Sequence, residues 1–99
     1  MRKIVCAANR FTFKEANGLE RVLTVCGIRH WDTLMYYQID AIDEYLWSCK
    51  VGKEEQGFMD NEYNFLSRTE AFIVATKANQ IIKKSGNPES QELFSEDIY

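Results

Sequence analysis

The sequence has no long apolar run. Its amino-terminal apolar stretch, Ile4 to Ala8, spans five residues, too short for a secretory signal and far too short to cross a bilayer. These absences point to a protein of the cytoplasm with no membrane partner. Dense basic runs are missing as well. With 12 basic residues against 15 acidic ones, the net charge is −3 and the pI about 5.1. Tight binding to a nucleic-acid polymer needs many phosphates neutralised, so that class is excluded, while a local pocket for one small anion is not.

Paired cysteines are also lacking. Cys6, Cys26 and Cys49 are an odd number in a chain without an export signal, and they read as reduced, buried thiols. A zinc site made from them and His30 would need close ligand pairs such as C-x-x-C, and there are none. Neither a metal nor a cofactor is called for. There is one proline and there are five glycines, against a 45% hydrophobic fraction. Such a chain is globular, not disordered or low-complexity. Its length suits a single domain, residues 1–99, small enough that oligomerisation would help to bury surface. Aromatics at 13% exceed what a small core needs, which leaves some for an interface or a flat ligand.

Arg2 to Phe11 and Arg21 to Ile28 predict two antiparallel strands, joined through the turn dipeptide Asn17-Gly18. From Asp32 to Cys49 the period changes. Met35, Ile39, Ile42, Leu46 and Cys49 recur at steps of four, three, four and three, which predicts one helix capped by Asp32 or Thr33 and ended by Gly52. Tyr36, Tyr37, Tyr45 and Trp47 surround it, a girdle that suits a further covering subunit. Glu55 to Arg68 predicts a smaller hairpin about Asp60-Asn61. Ser67 and Glu70 then form a capping box for a second helix bearing Ala71, Ala75, Ala78 and Ile82 on one face. Lys83 and Lys84 fall in its last turn as dipole complements, and Gly86 stops it before Pro88. Leu93, Phe94, Ile98 and Tyr99 make the end a docking segment. The order is that of an α+β fold: a small antiparallel sheet from two hairpins, packed with two main helices and oligomeric.

The stretch Cys26-Gly27-Ile28-Arg29-His30-Trp31-Asp32 sets a cation, the single histidine, an indole and a carboxylate in succession. One reading is structural: a strand-to-helix corner with Asp32 as cap and His30 partly exposed. Another is a ligand rim, with Arg29 on a phosphate and Trp31 or His30 on a flat ring. A catalytic cluster needs a Ser or Cys nucleophile held against the imidazole, a contact that sequence does not supply. Asn9 and Arg10 end the first predicted strand and need not lie beside Arg29 and His30. Arg10 is either a solvated strand end or a second anion contact. Tyr63, Phe65 and Arg68 surround a turn beside a helix N-terminus, where aromatic faces, a guanidinium and free amides suit a nucleotide. Phe65 in the core and Arg68 in solvent is the plainer alternative. Gln80 lies off the apolar stripe, its amide directed to solvent or to a pocket.

Four pieces resemble a family of small phage proteins in the same order over nearly the full length. They are "IVCAANRF" (Ile4–Phe11), "CGIRHWDTLM" (Cys26–Met35), "EQGFMDNEYNFLSRTEA" (Glu55–Ala71) and "LFSEDIY" (Leu93–Tyr99). The chain is similar to the first of the Thoeris anti-defence families, sponges that bind signalling nucleotides of bacterial immunity. The resemblance implies a small antiparallel sheet with helices, assembled at least as a dimer. It implies glycocyclic ADP-ribose, made by TIR-domain proteins, as ligand; some members also hold cyclic trinucleotides at a separate site in a hexamer. By the same resemblance Phe65 corresponds to an adenine-stacking aromatic, and Arg29 or Arg68 to phosphate-binding arginines. Where a glycine would precede the glutamine, this chain has Asn79, in a C-cap-like or a ligand-facing role. The expected function is non-catalytic sequestration of a cyclic nucleotide signal in the host cytoplasm during infection. The competing readings are an enzyme that degrades the same signal through His30 and Asp32, and an inhibitor that binds a host defence protein directly.

Overall fold

The computed structural model describes residues 1–84 and 89–98. Four antiparallel strands form one sheet in the order β2-β1-β3-β4: β1 is Ile4–Lys14, β2 Glu20–Gly27, β3 Lys50–Asp60 and β4 Phe65–Ser67. The helices are α1 (Thr33–Asp40), α2 (Glu44–Ser48) and α3 (Arg68–Lys77), followed by a 3-10 turn at Ser95–Asp97. The two expected hairpins are therefore present, and β1 against β3 joins them into one sheet.

Strand alternation gives the sheet two unlike faces. Ala7, Asn9, Phe11 and Phe13 of β1 share one face with Val25 of β2, Phe58 of β3 and Leu66 of β4, and all are buried. Met35, Ala71, Val74, Ala75, Leu93 and Ile98 complete the core above them. Phe11 meets Trp31 and Trp47 edge-on at 6.2 and 5.4 Å. Two register shifts keep the long β1–β3 pairing in phase with this core. The extra β1 residue is Val5, which lets Ile4 join the buried face. The extra β3 residues fall at 52–54, where Gly52 takes φ +68°. Gly52 thus belongs to a bulge in β3 and is not the end of a helix, as the sequence suggested.

The single helix expected from Asp32 to Cys49 is broken. α1 ends with Ala41 as its C-cap, and Asp43 restarts the chain by accepting from the Tyr45 amide at 2.6 Å. The competition is local: an Asp side chain that caps a new turn displaces helix continuation. Even so, the apolar stripe persists across the break, with Met35 buried and Ile39, Leu46 and Cys49 packed against the core.

α3 begins as expected. The Ser67 hydroxyl accepts from the Glu70 amide at 3.2 Å, and the Glu70 carboxylate accepts from the Ser67 amide at 2.9 Å. It ends much earlier than expected. Asn79 donates to the Thr76 carbonyl and Gln80 to the Ala75 carbonyl, with Asn79 at φ +57°. This is a Schellman ending, in which asparagine substitutes for the usual glycine. Asn79 thus takes the C-cap-like role, and Lys77, not Lys83 or Lys84, is the cation of the last turn. Lys84 instead pairs with the buried Asp97 at 3.1 Å and holds the carboxy-terminal segment, in which Leu93 and Ile98 are buried. Ile82, expected on the helix's buried face, is exposed. Gly86, Pro88 and Tyr99 lie outside the described residues.

The Asp60 turn is fastened by charge. Asp60 is buried, and its carboxylate accepts from the Glu62 and Asn64 amides, the Asn64 side chain and Arg2 Nε. Burial disfavours its charge, but these donors prevail and hold its pKa well below the ordinary carboxylate range. A depressed pKa means the stabilisation is complete at neutral pH and is lost as pH falls below about 4. Urea denaturation should show the wild-type midpoint dropping below that pH. Asp60→Asn should start lower at neutral pH and drop less; an equally steep acid loss in the variant would refute this role.

Candidate functional site

The corner between β2 and α1 is built on one carboxylate. Asp32 Oδ2 accepts from the Ile28 and Arg29 amides at 2.7 and 3.0 Å, and Oδ1 accepts from the Met35 amide at 3.0 Å. The carboxylate occupies the space that a Gly27 side chain would fill: a Cβ there would sit 2.3 Å from Asp32 Oδ1. Trp31 completes the turn at φ +58°, with its amide directed at Met35 Sδ. Desolvation opposes the charge of Asp32, yet the surrounding amides outweigh it and lower its pKa. Asp32 is therefore spent on the backbone, and no hydrogen bond to His30 is formed by either oxygen.

This corner sets His30 over the middle of the sheet. The ring stands edge-on to Phe58 with centroids 5.1 Å apart, and Nε2 lies 2.7 Å from the Gly57 carbonyl oxygen. A carbonyl can only accept, so Nε2 carries the proton. Burial lowers the pKa of His30 below its ordinary value; the Gly57 carbonyl pulls it up, Arg68 pushes it down and Glu96 pulls it up. On balance the fold favours the neutral ring.

Arg68, the first residue of α3, reaches the same face. Nη1 donates to the Leu93 carbonyl at 2.8 Å and Nη2 to Gln56 Oε1 at 2.6 Å. The guanidinium carbon lies 4.8 Å from the Phe94 ring centroid. Burial weakens its hold on the proton while Glu92, Glu96 and Asp97 strengthen it. None of those carboxylates forms an ion pair with it among the described residues. Gln56 is opposite Asn9 in the β1–β3 register. Asn9 is fully buried, donates to Met35 Sδ at 3.5 Å, and leaves Oδ1 without a hydrogen-bond partner.

The sequence candidates thus separate. Asn9, His30 and Arg68 gather on the helix-covered face, because β1 runs on to Lys14 and does not reverse after Arg10. Arg29 is exposed at the corner above them. Arg10 and Phe65 occupy the opposite face, where the guanidinium carbon of Arg10 lies 4.3 Å from the Phe65 centroid and its side chain pairs with Glu55 at 2.8 Å. The Phe65 ring lies against Gly57, whose absent Cβ would be 2.7 Å from its Cζ. Tyr63 is at the exposed turn, apart from both groups. Gln80 is elsewhere again: its amide accepts from Ile4 N–H and donates to Ile4 C=O, both at 2.8 Å, completing the strand's hydrogen bonding. Sequence reasoning missed Gln56 and Phe94. Gln56 sits in the polar run Lys53-Glu54-Glu55-Gln56, and Phe94 reads as a docking residue.

The three cysteines are free but each is partly exposed, not buried as expected. No cluster of three or more His, Cys, Asp or Glu suits a metal among the described residues, and no helix there is long and apolar enough to cross a membrane.

Two measurements test this geometry. Gly27→Ala should displace the Asp32 carboxylate and cost on the order of 1–3 kcal/mol in urea denaturation, as overpacking and loss of a cap do; an unchanged midpoint would count against it. His30 should titrate below its ordinary value in proton NMR. Because the fold favours the neutral ring, its contribution to stability declines as pH falls below about 6.5. A titration midpoint at or above that value would contradict the assignment.

No curated protein and no solved structure matches the chain. A family model does, that of the phage T4 y16D protein, over residues 3–99. The match takes in both sheet hairpins, the corner at Asp32 and α3, and the chain belongs to the phage T4 y16D protein family.

Proposed function

We propose that this phage protein binds and sequesters a cyclic nucleotide immune signal without cleaving it. The ligand is glycocyclic ADP-ribose made by TIR-domain proteins, with cyclic trinucleotides as a further class. Capture in the host cytoplasm would keep the signal from its effector. The observation that carries this reading is Arg68. Among the described residues its hydrogen bonds go to two neutral acceptors, the Leu93 carbonyl and the Gln56 amide, and no carboxylate pairs with it, which favours an anion there. Phe94 offers a ring beside it, and His30 borders the same face.

Chemistry favours binding over turnover. Asp32 is committed to backbone amides and His30 to the Gly57 carbonyl, which leaves no oriented acid–base pair between them. A cyclised ADP-ribose is rigid and loses little conformational entropy on binding. Sequestration at a nanomolar dissociation constant corresponds to about −12 kcal/mol. That affinity needs a recessed site, and no enclosed cavity is found among the described residues of one chain. A homo-oligomer, dimer or hexamer, supplies the missing walls in this reading. Tyr36, Tyr37 and Tyr45 are exposed in the single chain and suit such an interface.

The test is to mix protein with glycocyclic ADP-ribose, remove free ligand and denature by heat. Intact ligand should return in stoichiometric amount. Conversion of excess ligand would favour a degrading enzyme, and ligand-independent capture of one identified host defence protein would favour a direct inhibitor. Arg68→Ala should weaken binding roughly 10- to 150-fold, the worth of one hydrogen-bonded charge of about 1.5–3 kcal/mol. Arg10→Ala, on the other face, should leave it within a factor of about three. The reverse order of effects would move the site to the Arg10–Phe65 face.

A further inference from the structure

Two cysteines lie away from the proposed ligand face. Cys26 is paired with Ala8 across β1–β2, and Cys6 lies two residues along β1 from Ala8. Alternation therefore brings both thiols out on the same face of the sheet, opposite Asn9 and Gln56. The Cys26 main chain turns away from β1: its N–H donates to Gln38 Oε1, and its C=O accepts from Gln38 Nε2. Ala8 and Cys26 are thus a pair without mutual backbone hydrogen bonds, and Cys6 stands diagonally across from Cys26 beside that pair. The register makes the two thiols diagonal neighbours on that face, near enough for each to shift the other's ionisation, and both side chains are partly exposed. Cys49 stands apart, packed against the core before β3.

We propose that Cys6 and Cys26 form a thiol–disulfide exchange site, which small disulfides such as oxidised glutathione convert to a cross-strand disulfide. In the first step the Cys26 thiolate attacks one sulfur of the small disulfide. A mixed disulfide forms on Cys26, and one glutathione thiolate leaves. In the second, Cys6 gives its proton to that thiolate or to water, and its sulfur attacks Cys26. The Cys6–Cys26 bond forms as the second glutathione thiolate leaves. Two protein thiols lose two protons and two electrons, and one molecule of small disulfide becomes two thiols.

The electrostatics assign the order. The neighbouring Cys6 thiol lowers the Cys26 pKa to about 7 against the effect of burial, while Cys26, together with burial, raises that of Cys6. Cys26 is the attacking thiol and Cys6 the resolving one. A thiolate of lower pKa is more populated at neutral pH but intrinsically less nucleophilic, so the net gain over an ordinary thiol is only a few-fold. In a reducing cytosol the bridge would be transient. It would fasten β1 to the end of β2, next to Gly27 and the corner that carries Arg29 and His30. The chemistry does not depend on the ligand reading.

The experiment uses the wild-type chain. Incubate it with oxidised glutathione across a pH series, quench by alkylating free thiols, and map the peptides by mass. A linked Cys6–Cys26 peptide lacking two hydrogens is expected, forming at a rate that reaches half its plateau at a pH of about 7. Cys6→Ser should stop at a glutathione adduct on Cys26, and Cys26→Ser should abolish the linkage while leaving Cys6 slow to react. A stable adduct on the wild type without linkage would overturn the proposal. So would equal modification of all three cysteines, or a linkage between any other pair. The wild-type map decides the matter even if a variant fails to fold.

Discussion

The Asp32 carboxylate resting on Gly27 is the contact on which the site depends. Strand β2 ends at Gly27, and within five residues the chain must become a helix packed back against β2. Three amides on either side of the reversal would otherwise be unsatisfied, and one side chain accepts from all of them. It can approach only because position 27 has no Cβ. From this contact follow the place of Met35 in the core, the left-handed turn at Trp31 and the location of His30 over Phe58.

Side-chain amides do comparable work at the sheet's margins. Gln38 from α1 binds both backbone groups of Cys26 on the edge strand β2. Gln80, just past the Schellman ending of α3, does the same for Ile4. Each glutamine completes an unpaired strand position with one donor and one acceptor, as a neighbouring strand would. They tie the helices to the sheet by direction as well as by apolar contact. The carboxy-terminal segment is held by a third polar device, the Lys84–Asp97 pair, with the ammonium also near the Phe72 and Phe94 rings. That segment brings Leu93 O and Phe94 to Arg68, so the proposed ligand face requires its docking.

The two faces of the sheet divide the chemistry. One carries Arg68, His30, the exposed Gln56 and the buried, unsatisfied Asn9 Oδ1. The other carries the Arg10–Phe65 stack and the diagonally placed thiols Cys6 and Cys26. Neighbours in sequence, such as Asn9 and Arg10, therefore serve different surfaces. Phe65 and Arg68 are likewise divided, although they flank one short capping motif.

Local chemistry was legible in the sequence wherever neighbours within a few residues decide the outcome. The turn at Asn17-Gly18, the Ser67–Glu70 capping box and the Asp32 cap each satisfy amides a few residues away, and the structure has all three. Periodicity likewise marked the Met35–Cys49 stripe, though not the break at Asp43, where a capping carboxylate outcompetes helix propagation. The end of α3 was misplaced because its apolar stripe was followed on to Ile82 and Gly86. Asn79, for which a C-cap-like role was one of two expected, instead takes the left-handed conformation and ends the helix. What only the tertiary structure decided was which distant groups meet. Arg68 reaches Gln56 and the Leu93 carbonyl, Gln80 reaches Ile4, and Cys6 reaches Cys26 through strand register and chain docking. Residue spacing sets how a segment bends and what caps it; the partners across a sheet are set by packing, which no local pattern encodes.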